Sequence, residues 1–308
     1  MKIAITCFNL GWLAGGPRLI FAQARAMQQM GHSVTIYAPD FDPGMYPELT
    51  RGLHIVSVPS QRTLFTQDKF KTTLGNVRRK IRDERAQAAL ARTMAQRLDA
   101  DFDVVNCHDF SYRIIPFYKA RNPHSKILWT THEPPFIYLP KPHKIYDALS
   151  RAYNWYQMNA LQRKYVPLVD GVVLLNERNK RWAESCGFKA VTAYPGVDSA
   201  YFHAPVKQRA QGDLSVRVLC VGAPNQYRRF EDTLRATGLL RQRGYDASVT
   251  VVGKNIWNED TYCEFLKSIA RDGGFADHAM FRLHCTRHTR SRARGTISDS
   301  PDRSPACR

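Results

Sequence analysis

Along this 308-residue chain the apolar positions follow two rhythms that alternate. Short runs rich in Val, Ile, Leu and Thr predict strands buried on both faces. Longer stretches whose apolar residues recur every three or four positions predict helices laid over them. Strands are expected at Lys2–Phe8, Ser33–Ala38, His54–Val58, Val104–Cys107, Lys126–Thr131 and Gly171–Leu175. A turn-rich stretch from Thr192 to Gly196 and an exposed linker at Gln208–Asp213 follow. A second series then begins, with strand Val216–Gly222, helix Glu231–Arg243, strand Ser248–Gly253, helix Asn258–Arg271 and strand Ala279–His284. Strands alternating with helices predict an α/β protein built on parallel sheets.

The opening unit is the clearest. After the first strand, Asn9–Gly16 reads as a loop, and Pro17 opens a helix running to Met30, proline being tolerated in the first turn. Gly31 can supply the left-handed residue that ends it. After Cys285 the pattern stops. The remainder, CTRHTRSRARGTISDSPDRSPACR, has Ile297 as its one strongly apolar residue. The expected organisation is therefore a first domain over 1–195, a partial second domain over 196–284 and an unstructured basic tail over 285–308. The expectation is that a frameshift or early stop ended the second domain.

Charge sharpens this picture. The chain carries a formal +18, and residues 282–308 contribute seven arginines against two aspartates. A second basic concentration, Lys69–Arg97, holds nine Lys/Arg against Asp83 and Glu84. Phe70, Leu74, Val77 and Ile81 recur there on one helical face, which reads either as a surface helix covering the domain or as a basic amphipathic helix on anionic lipid. No zinc-finger spacing or RNA-binding signature accompanies the charge, so nucleic acid is not an expected partner. Seven cysteines without a C-x-x-C fit reduced thiols in a cytoplasmic protein. The N-terminus reads as a strand rather than a signal peptide, and no apolar run is long enough to span a membrane as a helix.

Three places carry candidate chemistry. Gly15 and Gly16 lie between a strand and a helix, where glycine lets a ligand approach the backbone and the helix start offers free N–H groups to an anion. They do not form the dinucleotide-binding glycine pattern. His108 and His132 each follow a strand, at the carboxyl ends where open α/β sheets bind ligands, and Glu133 follows His132. In the second series, Gly222 ends a strand and Arg228–Arg229 precede a helix, an arrangement suited to a diphosphate. No metal is expected, because no further ligands stand at useful spacing.

With these pieces in order the chain resembles the family 4 glycosyltransferases of the GT-B fold. The resemblance rests on GGPRLIFAQARAMQQMGHSVTIYAP, on Tyr194-Pro195-Gly196-Val197-Asp198 followed by Phe202, and on VGAPNQYRRFEDTLRA with SVTVVGK. It covers residues 1 to about 284. It implies two Rossmann-like domains, the second incomplete here. It also implies retaining transfer from a nucleotide-diphosphate sugar to a glycan or lipid-linked acceptor, with no separate cofactor and no obligatory metal. By the same resemblance Gly15 and Gly16 face donor phosphates and acceptor, and His132 is the catalytic-site histidine contacting the transferred sugar. Gly222, Arg228 and Arg229 bind the donor, and His108 and Glu133 lie on the acceptor side. Tyr227-Arg228-Arg229-Phe230-Glu231 is similar to a variant seen among mannosyltransferases, and polysaccharide or lipopolysaccharide synthesis at the inner face of the cytoplasmic membrane is the implied setting.

Departures from the family pattern are also legible. Ala223 stands where a second phosphate-binding arginine is usual, and no glutamate follows Glu264, so the family's downstream glutamate pair is absent. Three other readings therefore stay open: a non-catalytic glycan- or membrane-binding remnant, one half of a split transferase, and a sugar-nucleotide epimerase.

Overall fold

The computed structural model describes residues 1–10, 15–42, 44, 46–60, 73–132, 155–156, 158–196, 212–255 and 260–285, with the side chains of 73–80 and 284–285 left aside. The chain divides into two compact units, Met1–Phe202 and His203–Arg308. The sequence-based division at 195/196 falls shortly before that point. Of the tail expected at 285–308, only Cys285 lies among the described residues, as the last residue of a strand.

In the first unit seven strands form one parallel sheet in the order β3-β2-β1-β4-β5-β6-β7. They are β1 Lys2–Cys7, β2 Ser33–Pro39, β3 His54–Val58, β4 Val104–His108, β5 Lys126–Thr131, β6 Gly171–Leu174 and β7 Ala190–Thr192. The chain steps outward from β1 to β2 and β3, then returns to place β4 on the other side of β1. That reversal makes the carboxyl ends of β1 and β4 the switch point of the sheet, where a ligand crevice forms in such folds.

Alternation along the strands supplies two cores. Ile3, Ile5 and Cys7 of β1 pack with Val34, Ile36 and Ala38 of β2 under Ile20, Phe21 and Ala24 of α1 (Gly15–Gln29). On the opposite face Ala4, Val105, Cys107, Ile127 and Trp129 meet Leu90, Ala91, Met94, Ala95 and Leu98 of α3 (Thr73–Arg97). Between these helices lies the single turn α2 (Pro47–Thr50), and after β4 comes α4 (Ile115–Lys119). Residues 158–165 are helical, and α5 (Glu177–Ser185) precedes β7.

One expectation is corrected here. Helix α1 starts at Gly15 rather than Pro17, because proline anywhere in the first turn sacrifices only an N–H that has no helical partner. In the basic helix the C-terminal half packs on the sheet, as a surface helix covering the domain would. Leu90 to Leu98 do the packing, whereas Ile81 is 49% exposed. Phe70 and the side chains of Leu74 and Val77 lie outside the described residues. An apolar repeat in a strongly basic helix marks a face without saying what covers it.

The second unit contains a three-stranded parallel sheet, β10-β9-β8, from β8 (Ser215–Val221), β9 (Asp246–Asn255) and β10 (Ala279–Cys285). Helices α6 (Phe230–Gln242) and α7 (Asp260–Asp272) supply its core: Phe230, Leu234, Tyr262, Leu266 and Ala270 pack on Val249 and Val251. The α/β class with parallel sheets, expected from the strand–helix alternation, is the one found.

Candidate functional site

Strand β4 ends at His108 in extended geometry, and Asp109 then turns left-handed at φ 47° before a 3-10 turn over Asp109–Ile114. Aspartate tolerates that conformation better than most residues, but it is still costly outside glycine. The surroundings hold it in place. The Trp129 indole donates to the Asp109 carbonyl at 3.0 Å, and the Ser111 hydroxyl lies 2.8 Å from the His108 carbonyl. Trp129 is itself buried between Tyr112, Trp182 and Phe188, so the anchor point cannot drift.

The turn aims the Asp109 carboxylate at the end of the neighbouring strand. Register pairs His108 with Thr130, which brings Asp109 beside the residues that close β5. Its Oδ1 accepts the His132 backbone N–H at 3.0 Å, and its two oxygens lie 2.9 and 2.8 Å from His132 Nδ1. Burial pushes the Asp109 carboxyl upward, but the hydrogen bond and charge of His132 outweigh it, and the net shift is below the ordinary carboxylate value. Asn179, presented by the first turn of α5, donates to the His132 carbonyl at 3.4 Å.

His132 also borders the helix start. A β-carbon at Gly16 would sit 3.7 Å from His132 Cε1, so the imidazole edge lies against the first turn of α1. Three elements thus converge at the switch point: the positive end of α1, the turn after β4 and the end of β5. Beneath them runs a buried polar seam. Thr130 Oγ1 donates to Asn106 Oδ1 at 2.8 Å, and Asn106 Nδ2 lies 3.3 Å from His108 Nε2. His108 is fully buried, its ring 6.1 Å from that of His132. Desolvation, only partly opposed by Asp109, pushes its pKa down to about 4, so it is neutral at ordinary pH.

Of the residues singled out beforehand, Gly15, Gly16, His108 and His132 come together here. Gly15 opens α1, with nothing within 4 Å of where its side chain would begin. His108 closes β4 instead of following it and has no surface of its own. Glu133 lies outside the described residues. Asp109 went unnoticed in the sequence, although a carboxylate directly after a strand-end histidine was the available signal.

The second unit repeats the strand–glycine–helix device with different equipment. Gly222 follows β8 at φ 150°, and a β-carbon at Gly253 would come within 1.9 Å of the Gly222 carbonyl oxygen. Glycine is thus required where these two strand ends touch. Asn225 caps the short turn Gln226–Arg228, its side chain accepting from the Tyr227 N–H. Arg228 faces the glycine, with Nη1 3.7 Å from the position a Gly222 β-carbon would take. Arg229 is left-handed at φ 54° and donates through Nε and Nη2 to Asp232, at 2.6 and 2.9 Å. The two arginines are therefore unequal: one faces the glycine turn, the other closes the start of α6.

The family model described as Glycosyltransferase Family 4 matches residues 13–201. The chain belongs to Glycosyltransferase Family 4. The match spans the elements that carry the His132–Asp109 pair and the start of α1. No curated protein matches the sequence closely enough to count as a relative. Solved structures with the same fold are numerous. One is Anabaena HepE in complex with UDP and glucose, with a TM-score of 0.56 and 11% identity over 92% of this chain and 69% of that one. Another is an Escherichia coli trehalose-6-phosphate protein bound with UDP-2-fluoro glucose, at TM-score 0.60 and 13% identity, covering 94% and 74%. A third is sucrose-phosphate synthase from Thermosynechococcus elongatus, at TM-score 0.59 and 12% identity, covering 92% and 70%. At such identities the likeness establishes the GT-B glycosyltransferase fold.

Proposed function

We propose that this family 4 protein transfers a hexose, mannose among the candidates, from a nucleotide-diphosphate sugar to a glycan or lipid-linked acceptor, with retention at the anomeric carbon. The observation that carries the reading is the convergence of His132, Asp109 and the first turn of α1 at the switch point of the first unit. In this reading His132 hydrogen-bonds the transferred sugar, and Gly15 and Gly16 let donor phosphate and acceptor approach the backbone. In the second unit Arg228 is assigned the diphosphate, with Gly222 leaving room for it. The leaving diphosphate gathers negative charge as the glycosidic bond breaks, and a guanidinium fork held in advance stabilises that charge. Arg229, engaged by Asp232, shapes the turn. His108, fully buried, supports the site from below, while Glu133 is assigned to the acceptor through its place beside His132. No separate cofactor enters this chemistry.

Polysaccharide or lipopolysaccharide assembly at the cytoplasmic face of a membrane is the setting this reading favours. The support is α3, whose Ile81 is exposed and whose sequence around it carries Arg78, Arg79, Lys80, Arg82 and Arg85. Among the described residues no helix is long and apolar enough to cross a membrane.

The test is a panel of uridine- and guanosine-diphosphate sugars offered with glycan and lipid-linked acceptors. Released nucleoside diphosphate and the anomeric configuration of the product are then followed by NMR. One donor should turn over with its configuration kept. Inversion, or no turnover with any donor, overturns the reading.

A further inference from the structure

We propose that Asp109 is the positioning residue of this site: it holds His132 in a single tautomer, Nδ1–H turned to the carboxylate, so that Nε2 is the ring nitrogen offered to a sugar hydroxyl. The inference deepens the glycosyl-transfer reading and rests on it only for the identity of that hydroxyl.

Four observations carry it. An ionised carboxylate only accepts hydrogen bonds, so the ring nitrogen 2.8 Å from Asp109 Oδ2 must bear the proton. The same carboxylate also takes the backbone N–H of His132, fixing the main chain and the ring through one group. Asp109 occupies the left-handed region, a conformation that persists only where the surroundings impose it. The surroundings are the Trp129 indole on its carbonyl and the Ser111 hydroxyl on the carbonyl before it. The aim of the carboxylate is thus set by a buried tryptophan on the neighbouring strand.

His108 provides a built-in contrast. The Asn106 carboxamide oxygen is taken by Thr130, so its NH2 group faces His108 Nε2, which must accept. His108 therefore also carries its proton on Nδ1, but through a network that does not include the Asp109 carboxylate. Its Nδ1 has no hydrogen-bond partner among the described residues. Two histidines with rings 6.1 Å apart are held in the same tautomer by independent means.

The experiment is two-bond 1H–15N correlation NMR on the full chain labelled with 15N-histidine, at pH 8, above the ordinary histidine value. Wild-type His132 should show the Nδ1–H pattern. Asp109→Gly keeps the backbone conformation available while removing the acceptor, and should shift His132 several-fold toward Nε2–H, leaving His108 unchanged. Asp109→Asn, whose oxygen still takes the His132 backbone N–H, puts an NH2 donor where Oδ2 stood and should also turn His132 to the Nε2–H form. With a donor that turns over, Asp109→Gly and Asp109→Asn should each lower kcat by about 10²-fold at unchanged donor KM. A wild-type His132 in the Nε2–H form overturns the proposal without any variant, as does an unchanged tautomer in Asp109→Gly. If wild type turns over no donor, the transfer reading fails while the tautomer result decides this proposal separately.

Discussion

The two units solve the same local problem in opposite ways. Each ends a parallel strand in a glycine-bearing turn and starts a helix beside it. In the first unit the polar groups near that turn are cross-linked, buried from Thr130 to Asn106 to His108 and half-buried from Asp109 to His132. In the second, the arginines stand at the surface, Arg228 lying over the Tyr227 ring and Arg229 tied to Asp232. Buried groups are expensive to misplace, so the packed core fixes their geometry. At the surface Arg229 is held by Asp232, and Arg228 rests on the Tyr227 ring. The difference teaches that orientation is built into the first unit and charge into the second, the division that the proposed function assigns to sugar contact and diphosphate capture.

The sharpest way to break this contrast is to disturb what the first unit is anchored on. Trp129→Ala removes a fully packed indole and the clamp on Asp109, and should cost about 3–5 kcal/mol in denaturant unfolding. Stability surviving within 1 kcal/mol, at about a third of that, would show that the turn holds itself. The matching change in the second unit is Gly253→Ala. Its new β-carbon would collide with the Gly222 carbonyl, and the expected loss is about 3 kcal/mol, confined to the melting of residues 212–285.

Acid gives a comparison without mutation. His108 titrates at about 4 when folded, against about 6.5 when unfolded. The unfolded chain takes up that proton first as pH falls. The stability due to neutral His108 is therefore complete above about pH 6.5 and is lost down to about pH 4, amounting to about 3 kcal/mol. Asp109, whose folded value is depressed, adds its own loss only below the ordinary carboxylate range. His108→Gln should flatten the profile between pH 6.5 and 4 relative to wild type, about the window named. An unchanged slope would mean that other groups govern it.

Donor binding should separate the arginines. Arg228→Ala is expected to weaken a nucleotide-diphosphate sugar by about tenfold or more, the scale of one charge-assisted contact, while Arg229→Ala leaves affinity nearly unchanged. Calorimetry on both variants reads this, and equal losses would erase the distinction drawn here. The smallest effect belongs to the basic helix: Ile81→Asp should reduce sedimentation with anionic vesicles a few-fold, and only at low salt. Binding that ignores both lipid charge and salt would remove α3 from the membrane.

Much of this architecture was legible in advance. His54–Val58 and Lys126–Thr131 fall where apolar runs bounded by turn residues placed them. Both histidines stand at the strand ends where the apolar runs placed them. The elements missed are those with little apolar periodicity. Helix α5 buries only Asn179 and Ala183, and β7 is a three-residue edge strand with Val191 exposed. Asp109 escaped for a different reason. Its role depends on a left-handed backbone and on the register of β4 against β5, which local patterning does not encode. The inequality of Arg228 and Arg229 is likewise invisible until the turn puts one beside Gly222 and the other beside Asp232.

The most direct test of the central claim is saturation-transfer NMR of UDP-glucose against wild type and His132→Ala. If the His132–Asp109 pair holds the transferred sugar, saturation of the sugar protons should collapse in the variant while the uracil protons keep theirs. Sugar protons saturated equally in both proteins would contradict the account and move the sugar away from the carboxyl ends of β4 and β5.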